Sequence, residues 1–262
     1  MPAAGRSAAE IRFIEGLAAN AWPAAHIETI DGWVLRHTPG VTARRSNSVL
    51  ALSAGEGPLD DRLAFVEQFY RSRDLPARFQ ISPLTEPPGL DSVLSDRGYE
   101  IEAPVDVQTA RVERVLDPSS KRWPIGPRAP VHLMDEPNNA WLTLWTELFR
   151  RGDAAVTKER VLARIVPPTA FALLETDGRP AAVGYGVVEA GWLGVFGMGT
   201  VAEARGRGLA TSILHALARW GSDQSAMNAY LQVEAENAAA HRLYARAGFS
   251  TSYGYHYRTR EV

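Results

Sequence analysis

The stretch that most constrains this chain is Arg205-Gly206-Arg207-Gly208-Leu209-Ala210. An apolar, strand-like run, Trp192 to Thr200, precedes it, and an amphipathic helix from about Arg207 to Gly221 follows. A strand, a glycine-bearing turn and a helix start together make an anion site. The first amides of a helix have no intrahelical acceptor, and the helix dipole is positive there. Gly206 and Gly208 have no Cβ, so a large anion can reach the backbone, and Arg205 and Arg207 add charge. The turn reads as a cradle for a diphosphate.

Composition narrows the classes that could use such a cradle. The 262 residues are 45% hydrophobic and 22% charged, which is globular and enough for one large domain or two ordinary ones. A net charge of −2 removes the electrostatic case for a general nucleic-acid binder. With no cysteine, thiolate nucleophiles, disulfides and zinc–thiolate or iron–sulfur sites are excluded. The first residues, MPAAGRSAAEIRFIEG, lack the apolar run of a signal peptide. No stretch reaches the roughly 20 apolar residues of a membrane span. The default expectation is a cytoplasmic protein with no membrane partner.

The first half reads as mixed helix and strand. Ser7 to Ala21 is a helix with a capping-box spacing from Ser7 to Glu10. Ile27 to His37 is strand with a break at Asp31-Gly32, and Ser46 to Ser53 is a second strand. A helix covers Leu59 to Arg73, a strand Ala77 to Ser82, and a short helix Leu90 to Asp96 ends at Gly98. Tyr99 to Val105 and Val107 to Val115 look extended. Asp117 to Pro130 holds prolines at 118, 124, 127 and 130 and has no periodicity, which marks a domain boundary.

In the second half a strand at Val131 to Met134 leads into helices at Asn138 to Arg151 and Thr157 to Ile165. Ala170 to Thr176 and Ala181 to Val188 form a hairpin through Asp177-Gly178. After the glycine turn and its helix, Ala229 to Glu234 is strand, and Asn237 caps a helix to Ala247. Phe249 to Arg260 is extended, as two strands around Gly254. There is a weak internal repeat: Phe79-Gln80-Ile81 parallels Leu231-Gln232-Val233, and Arg97-Gly98-Tyr99 parallels Ala247-Gly248-Phe249.

The turn is not a P-loop, since GxxxxGK[ST] is missing. Nor is it a dinucleotide fingerprint, since Thr211 stands where the third glycine would fall. The second half, from about Val131 to Val262, instead resembles the GNAT family of N-acetyltransferases. Arg205 to Ala210 matches that family's R/Q-x-x-G-x-G/A motif. Leu231, Val233, Asn237, Ala240, Leu243-Tyr244 and Gly248-Phe249 match its second motif, in the right order and at the right spacing. The resemblance implies acetyl-CoA as co-substrate, with no metal. It assigns the diphosphate to the backbone amides of the 206–210 turn, Gly206, Arg207, Gly208, Leu209 and Ala210, with Arg205 and Arg207 adding charge. It assigns the pantetheine arm to Met198, Gly199 and Thr200, with Asn237 touching the same region and Tyr244 near the thioester sulfur.

The chemistry agrees. Acetyl transfer needs a neutral amine, a polarised carbonyl and a proton for the leaving thiolate. Tyr244 lies seven residues after Asn237; its hydroxyl is a reasonable general acid. A backbone N–H at the strand end can stabilise the oxyanion. Glu234 ranks first as acceptor of the amine proton, ahead of Glu147 and Asp153. Each residue has a plainer reading as well: Tyr244 as a core aromatic, Glu234 as a surface or salt-bridged carboxylate, and His241 as a polar surface or cap residue. Trp141 and Trp145 read as core, with cation–π recognition of an amine as the alternative.

The first half resembles a GNAT lobe that has lost its site. Ala54-Gly55-Glu56-Gly57-Pro58 replaces the glycine turn. Pro58 lacks an N–H donor, Glu56 repels phosphate, and Leu94 stands in the place of Tyr244. Arg44, Arg45 and Asn47 either reach an acidic substrate or form only a charged loop, with the loop favoured. The expected fold is α+β: two GNAT-like lobes, each a mixed, mostly antiparallel sheet flanked by helices. Residues 1–120 form the degenerate lobe, 121–130 the linker and 131–262 the catalytic lobe. The expected function is transfer of acetyl from acetyl-CoA to an amine on a small molecule, peptide or protein, by a monomer or homodimer. The alternative is a non-catalytic acyl-CoA sensor or interaction module. An RNA- or phosphate-binding protein is disfavoured by charge.

Overall fold

The computed structural model describes residues 6–117, 130–149 and 154–262. The Ser7 hydroxyl accepts from the Glu10 amide, and the Glu10 carboxylate accepts from the Ser7 N–H. This reciprocal cap opens α1 (Ala8–Ala21), which buries Ile11, Ile14 and Leu17. Asp31 and Gly32 both have positive φ, 44° and 82°, so the break is a two-residue hairpin between β1 (His26–Ile30) and β2 (Trp33–His37). Then come β3 (Val49–Ala51), α2 (Leu59–Arg71), β4 (Ala77–Ile81), α3 (Leu90–Asp96) and β5 (Glu100–Arg111). The extended reading to Val115 is wrong. Val112–Leu116 forms α4, because Val112 and Val115, three residues apart, bury one helical face in an apolar cluster.

The second half gives β6 (Val131–Met134), α5 (Asn139–Phe149), α6 (Ala154–Arg160), β7 (Thr169–Thr176), β8 (Arg179–Glu189) and β9 (Trp192–Thr200). After these come α7 (Leu209–Asp223), β10 (Asn228–Glu234), α8 (Ala238–Arg246) and β11 (Ser250–Arg260). The helix expected to reach Ile165 stops at Arg160, and a 3-10 turn covers Leu162–Arg164. β11 is one strand, not two around Gly254. Register shifts at Thr251/Tyr253 and Tyr255/Tyr257 take up the irregularity without ending the pairing.

Among the described residues, all the strands form one sheet of 11, ordered β1-β2-β3-β4-β11-β5-β10-β9-β8-β7-β6. β3 runs parallel to β4 and β9 parallel to β10, while β11 pairs antiparallel with β4 and β5 pairs antiparallel with β10. Read outward from the central β11–β5 pair, each side therefore meets an antiparallel partner and then a parallel one. β11, from the end of the chain, lies between two strands of the first half. The expected linker at 121–130 lies, apart from Pro130, outside the described residues.

Helices cover both faces of the sheet. One apolar cluster joins α1 and α5 to Tyr185, Phe196, Tyr230 and the β11 tyrosines. A second joins α4, α7 and α8 to the opposite face. A third lies under α2 and α3. Strand alternation sorts the residues: in β8, Val183 and Tyr185 face α1 and α5, and Gly184 faces α7. A Cβ on Gly184 would stand 3.0 Å from Ile213 of α7, so glycine there lets the helix sit close to the sheet. Trp141 and Trp145 are fully buried and stacked, with ring centroids 5.4 Å apart. Truncating a core ring of this size costs about 3–5 kcal/mol.

Candidate active site

The glycine turn forms as its residues demand. Gly206 and Gly208 both take left-handed φ, 75° and 81°, and Gly208 is the N-cap of α7. Such φ values strain any residue with a Cβ. The first helical bond runs from the Ser212 amide to Gly208 O at 3.0 Å. The amides of Leu209, Ala210 and Thr211 therefore have no intrahelical acceptor. No side chain caps this end and no acidic residue stands in its first turn. Arg205, Gly206 and Arg207 are exposed, and Arg205 Nε reaches back to Thr200 O at 3.4 Å. The result is an open, positively polarised helix end.

Beside the turn the sheet comes apart. β9 and β10 pair in parallel from Trp192/Asn228 to Val195/Leu231 and no further, although both strands continue. The cause lies in β9. Between Phe196 and Gly199 it carries one more residue than the facing segment of β8, and Gly197 in this bulge has φ 58°. The extra residue bends β9 away from β10. Phe196–Thr200 and Gln232–Glu234 then face each other across a slot, their facing edges free of ladder bonds.

A cavity of about 280 Å³ occupies this slot. It is lined from both sides of the sheet: by Met198, Asn237 and Tyr244 on the α7 and α8 side, and by Trp22, Arg45 and Trp145 on the α1 and α5 side. The gap is thus a passage through the sheet. A larger hollow of about 500 Å³, near Asp135, Phe171 and Trp220, shares none of these residues.

Tyr244 is buried, packs edge-on against Phe249 at 5.9 Å, and still lines the cavity. It packs as a core aromatic and at the same time borders the cavity. Burial alone pushes its hydroxyl pKa well up, so it stays protonated at neutral pH. Asn237 accepts from the Ala240 amide at 3.0 Å as the cap of α8, with its residue also at the cavity wall. Glu234 is exposed at the cavity rim. Met198 packs toward Gly184, and Thr200 Oγ1 is buried without a partner. Glu147 is exposed and does not line the cavity, and Asp153 lies outside the described residues. His241 Nδ1 is 3.0 Å from Gln108 Nε2, and its Nε2 is 3.7 Å from Asp106, away from the cavity wall.

The polar loop of the first half divides three ways. Arg44 pairs with Glu102, Nη2 to Oε1 at 2.5 Å. Asn47 is buried; its Nδ2 donates to Val41 O and Ala43 O, and its Oδ1 accepts from the Thr38 amide. Arg44 and Arg45 both line the cavity. Among the described residues Arg45 has no carboxylate partner; it bonds the Tyr255 side chain and has its guanidinium carbon 5.7 Å from the Phe196 ring centroid. Asn47 is a structural loop residue, and it ties down the turn that places Arg44 and Arg45 at the cavity wall. Sequence reasoning also passed over Trp22, Tyr255 and Tyr257, which line the cavity. The Tyr253-Gly254-Tyr255-His256-Tyr257 alternation was the available signal, three aromatic residues on one face of a strand.

A family model described as "Probable histone acetyltransferase Rv0428c C-terminal" matches residues 8–258. An uncharacterised N-acetyltransferase of Bacillus subtilis (strain 168), YobR, is 31% identical over 251 residues, covering 95% of this chain and 98% of the relative. A probable histone acetyltransferase of Mycobacterium tuberculosis, Rv0428c, is 27% identical, over 86% of this chain and 66% of its own length. Among solved structures, a GCN5-related N-acetyltransferase from Kribbella flavida superposes with a TM-score of 0.71 at 15% identity, covering 98% of this chain and 96% of its own. That likeness speaks for the fold: a large mixed sheet flanked by helices. Fold, motifs and relatives agree, and the chain belongs to the GNAT acetyltransferases, in the family of the Rv0428c C-terminal region.

Proposed function

We propose that this acetyltransferase moves an acetyl group from acetyl-CoA directly to an amine, with one active site per chain at the β9–β10 slot. The observation that carries this is the passage through the sheet. It joins a buried tyrosine beside the α7 cradle to an aromatic cavity on the other face. In this reading the amides of Gly206 to Ala210 hold the diphosphate, with Arg205 and Arg207 adding charge. The open edge of β9 at Met198, Gly199 and Thr200 holds the pantetheine arm, and Asn237 borders it. The donor supplies an activated acetyl carbonyl, and the chain does the rest.

Glu234, at the rim, takes the proton from the acceptor ammonium. The freed nitrogen lone pair adds to the thioester carbonyl to form the C–N bond. The C–S bond breaks as the tetrahedral intermediate collapses, and the nitrogen's remaining surplus proton restores the Tyr244 hydroxyl after it has protonated the thiolate. A β9 amide at the bulge stabilises the oxyanion. Tyr244, kept protonated by burial, gives its proton to the leaving thiolate. The chain has no cysteine to carry an acyl intermediate, which favours direct attack. In the first half, Leu94 is fully buried where the second half has Tyr244, which supports reading that half as a lobe without its own site.

The test is thiol release from acetyl-CoA over a panel of amines, for wild type and Tyr244→Phe. Wild type is expected to release thiol with at least one amine. Tyr244→Phe is expected to lower kcat by about 100-fold or more while the KM for acetyl-CoA changes little. Release no faster than background hydrolysis with every amine would overturn the reading.

A further inference from the structure

Two buried nitrogen donors on the α1 and α5 face of the slot have no hydrogen-bond partner: Arg45 Nε and Trp145 Nε1. Both residues line the same cavity. A buried donor left unpaired is destabilising, more so when it is charged. Two of them at one cavity wall therefore call for an acceptor from outside the chain. The Arg45 guanidinium has one partner within the described residues, the Tyr255 side chain, which leaves its Nε unmatched. The carboxylates and amide of that layer are engaged. Glu15 accepts from Tyr253 at 2.7 Å and from Gln80 at 2.8 Å. Glu102 accepts from Arg44, Arg78 and Thr259. Gln232 Oε1 accepts from Tyr255 at 3.4 Å.

The placement of Arg45 is built in. It sits in the 3-10 turn Arg44–Ser46. Asn47 holds the backbone of that turn from inside, and the Trp22 indole donates to Ser46 Oγ at 3.3 Å. Phe196 lies under the guanidinium. A cation so held has little freedom to swing into solvent. At the rim Glu234 adds a negative charge, and β-strand alternation puts it on the same face of β10 as Gln232 and Tyr230.

We propose that the acceptor is a small amine bearing a carboxylate, whose carboxylate binds Arg45 and Trp145 while its nitrogen lies toward Glu234 and Tyr244. The assignment rests on the acetyltransfer reading above and adds the substrate class. A guanidinium presents parallel N–H groups that match a carboxylate, and an indole N–H completes the set. The same cation repels a polycationic acceptor, so a lysine-rich peptide tail is a poor fit. The cavity, about 280 Å³ with aromatic walls, suits one small molecule.

The experiment is thiol release from acetyl-CoA with the standard amino acids, each paired with its decarboxylated amine, plus a lysine-rich peptide with an amidated C-terminus. Enzymes are wild type, Arg45→Lys, Arg45→Met and Trp145→Phe. Wild type is expected to favour at least one amino acid over its decarboxylated partner by about 10- to 100-fold in kcat/KM, the worth of a charge-assisted pair. Arg45→Met is expected to lower kcat/KM for the amino acid far more than for its decarboxylated partner, bringing the ratio close to one, and Arg45→Lys to restore part of it. A merely structural role for Arg45 would slow both partners alike. Equal use of both partners by wild type, preference for the peptide, or parallel loss in Arg45→Met would each overturn the assignment while leaving acetyl transfer standing. If Arg45→Met does not fold, the wild-type ratio alone decides. No release with any amine would remove both readings.

Discussion

The Asp31 carboxylate accepts the Gly57 backbone amide at 3.0 Å, in the turn that opens α2. It accepts the Glu56 amide as well, at 2.9 Å, and Arg62 Nε stands 3.4 Å away. This turn holds the place before α2 that the Arg205–Gly208 turn holds before α7. There no side chain caps the amides; here the protein's own carboxylate fills the anion position. The sequence reading of repulsion at Glu56 missed this, since the Glu56 backbone is itself a donor to an anion.

Asp31→Ala is therefore expected to lower the thermal midpoint at neutral pH. The amides of Glu56 and Gly57 hold the Asp31 pKa below its usual value. A depressed carboxylate contributes stability that is present above the unfolded pKa, about 3.9, and lost as pH falls through the lower folded value. The midpoints of wild type and Asp31→Ala should differ at pH 7 and converge toward pH 3. Thermal scans at the two pH values check this, and a constant difference would sink it.

Gly206→Ala probes the cradle. No atom lies within 4 Å of a Cβ there, so only the left-handed φ of 75° opposes the methyl group. That strain costs about 1–2 kcal/mol. The methyl group stands where the diphosphate would approach, so the KM for acetyl-CoA should rise while kcat holds. Gly206→Asn, which tolerates this backbone, should retain more stability than Gly206→Ala by denaturant titration.

Gly197→Ala probes the bulge. A Cβ there would stand 2.6 Å from Trp145 Nε1 and 3.2 Å from the Tyr185 ring, with φ at 58°. Both partners are buried rings of the core, so the strain cannot relax cheaply. A loss of about 2–4 kcal/mol is expected, with kcat lowered because the slot between β9 and β10 closes or shifts. Urea titration and thiol release measure the two effects.

The position of β11 predicts cooperative unfolding. It pairs with β4 and β5 at once, so the two halves share its backbone bonds. Calorimetry should give one transition, with van't Hoff and calorimetric enthalpies equal. Removing residues 250–262 should unfold the first half as well as the second. Survival of a folded first half, seen as a native environment for the fully buried Trp33, would contradict this.

The sequence by itself determined the local features. The glycines at 206 and 208, the cap at Ser7, the Asp-Gly hairpins and the helical stripe of α7 are set by backbone sterics and by neighbours within a few residues. The placement of Tyr244 two turns after Asn237 is local in the same way. Only the tertiary structure decided what meets at the slot. Arg45 and Tyr244 are about 200 residues apart in the chain and reach one cavity because β9 parts from β10. The helical end of β5 and the continuity of β11 were decided by burial under α7 and by pairing with β4. Long-range packing outweighs local propensity wherever a short apolar run can satisfy either period.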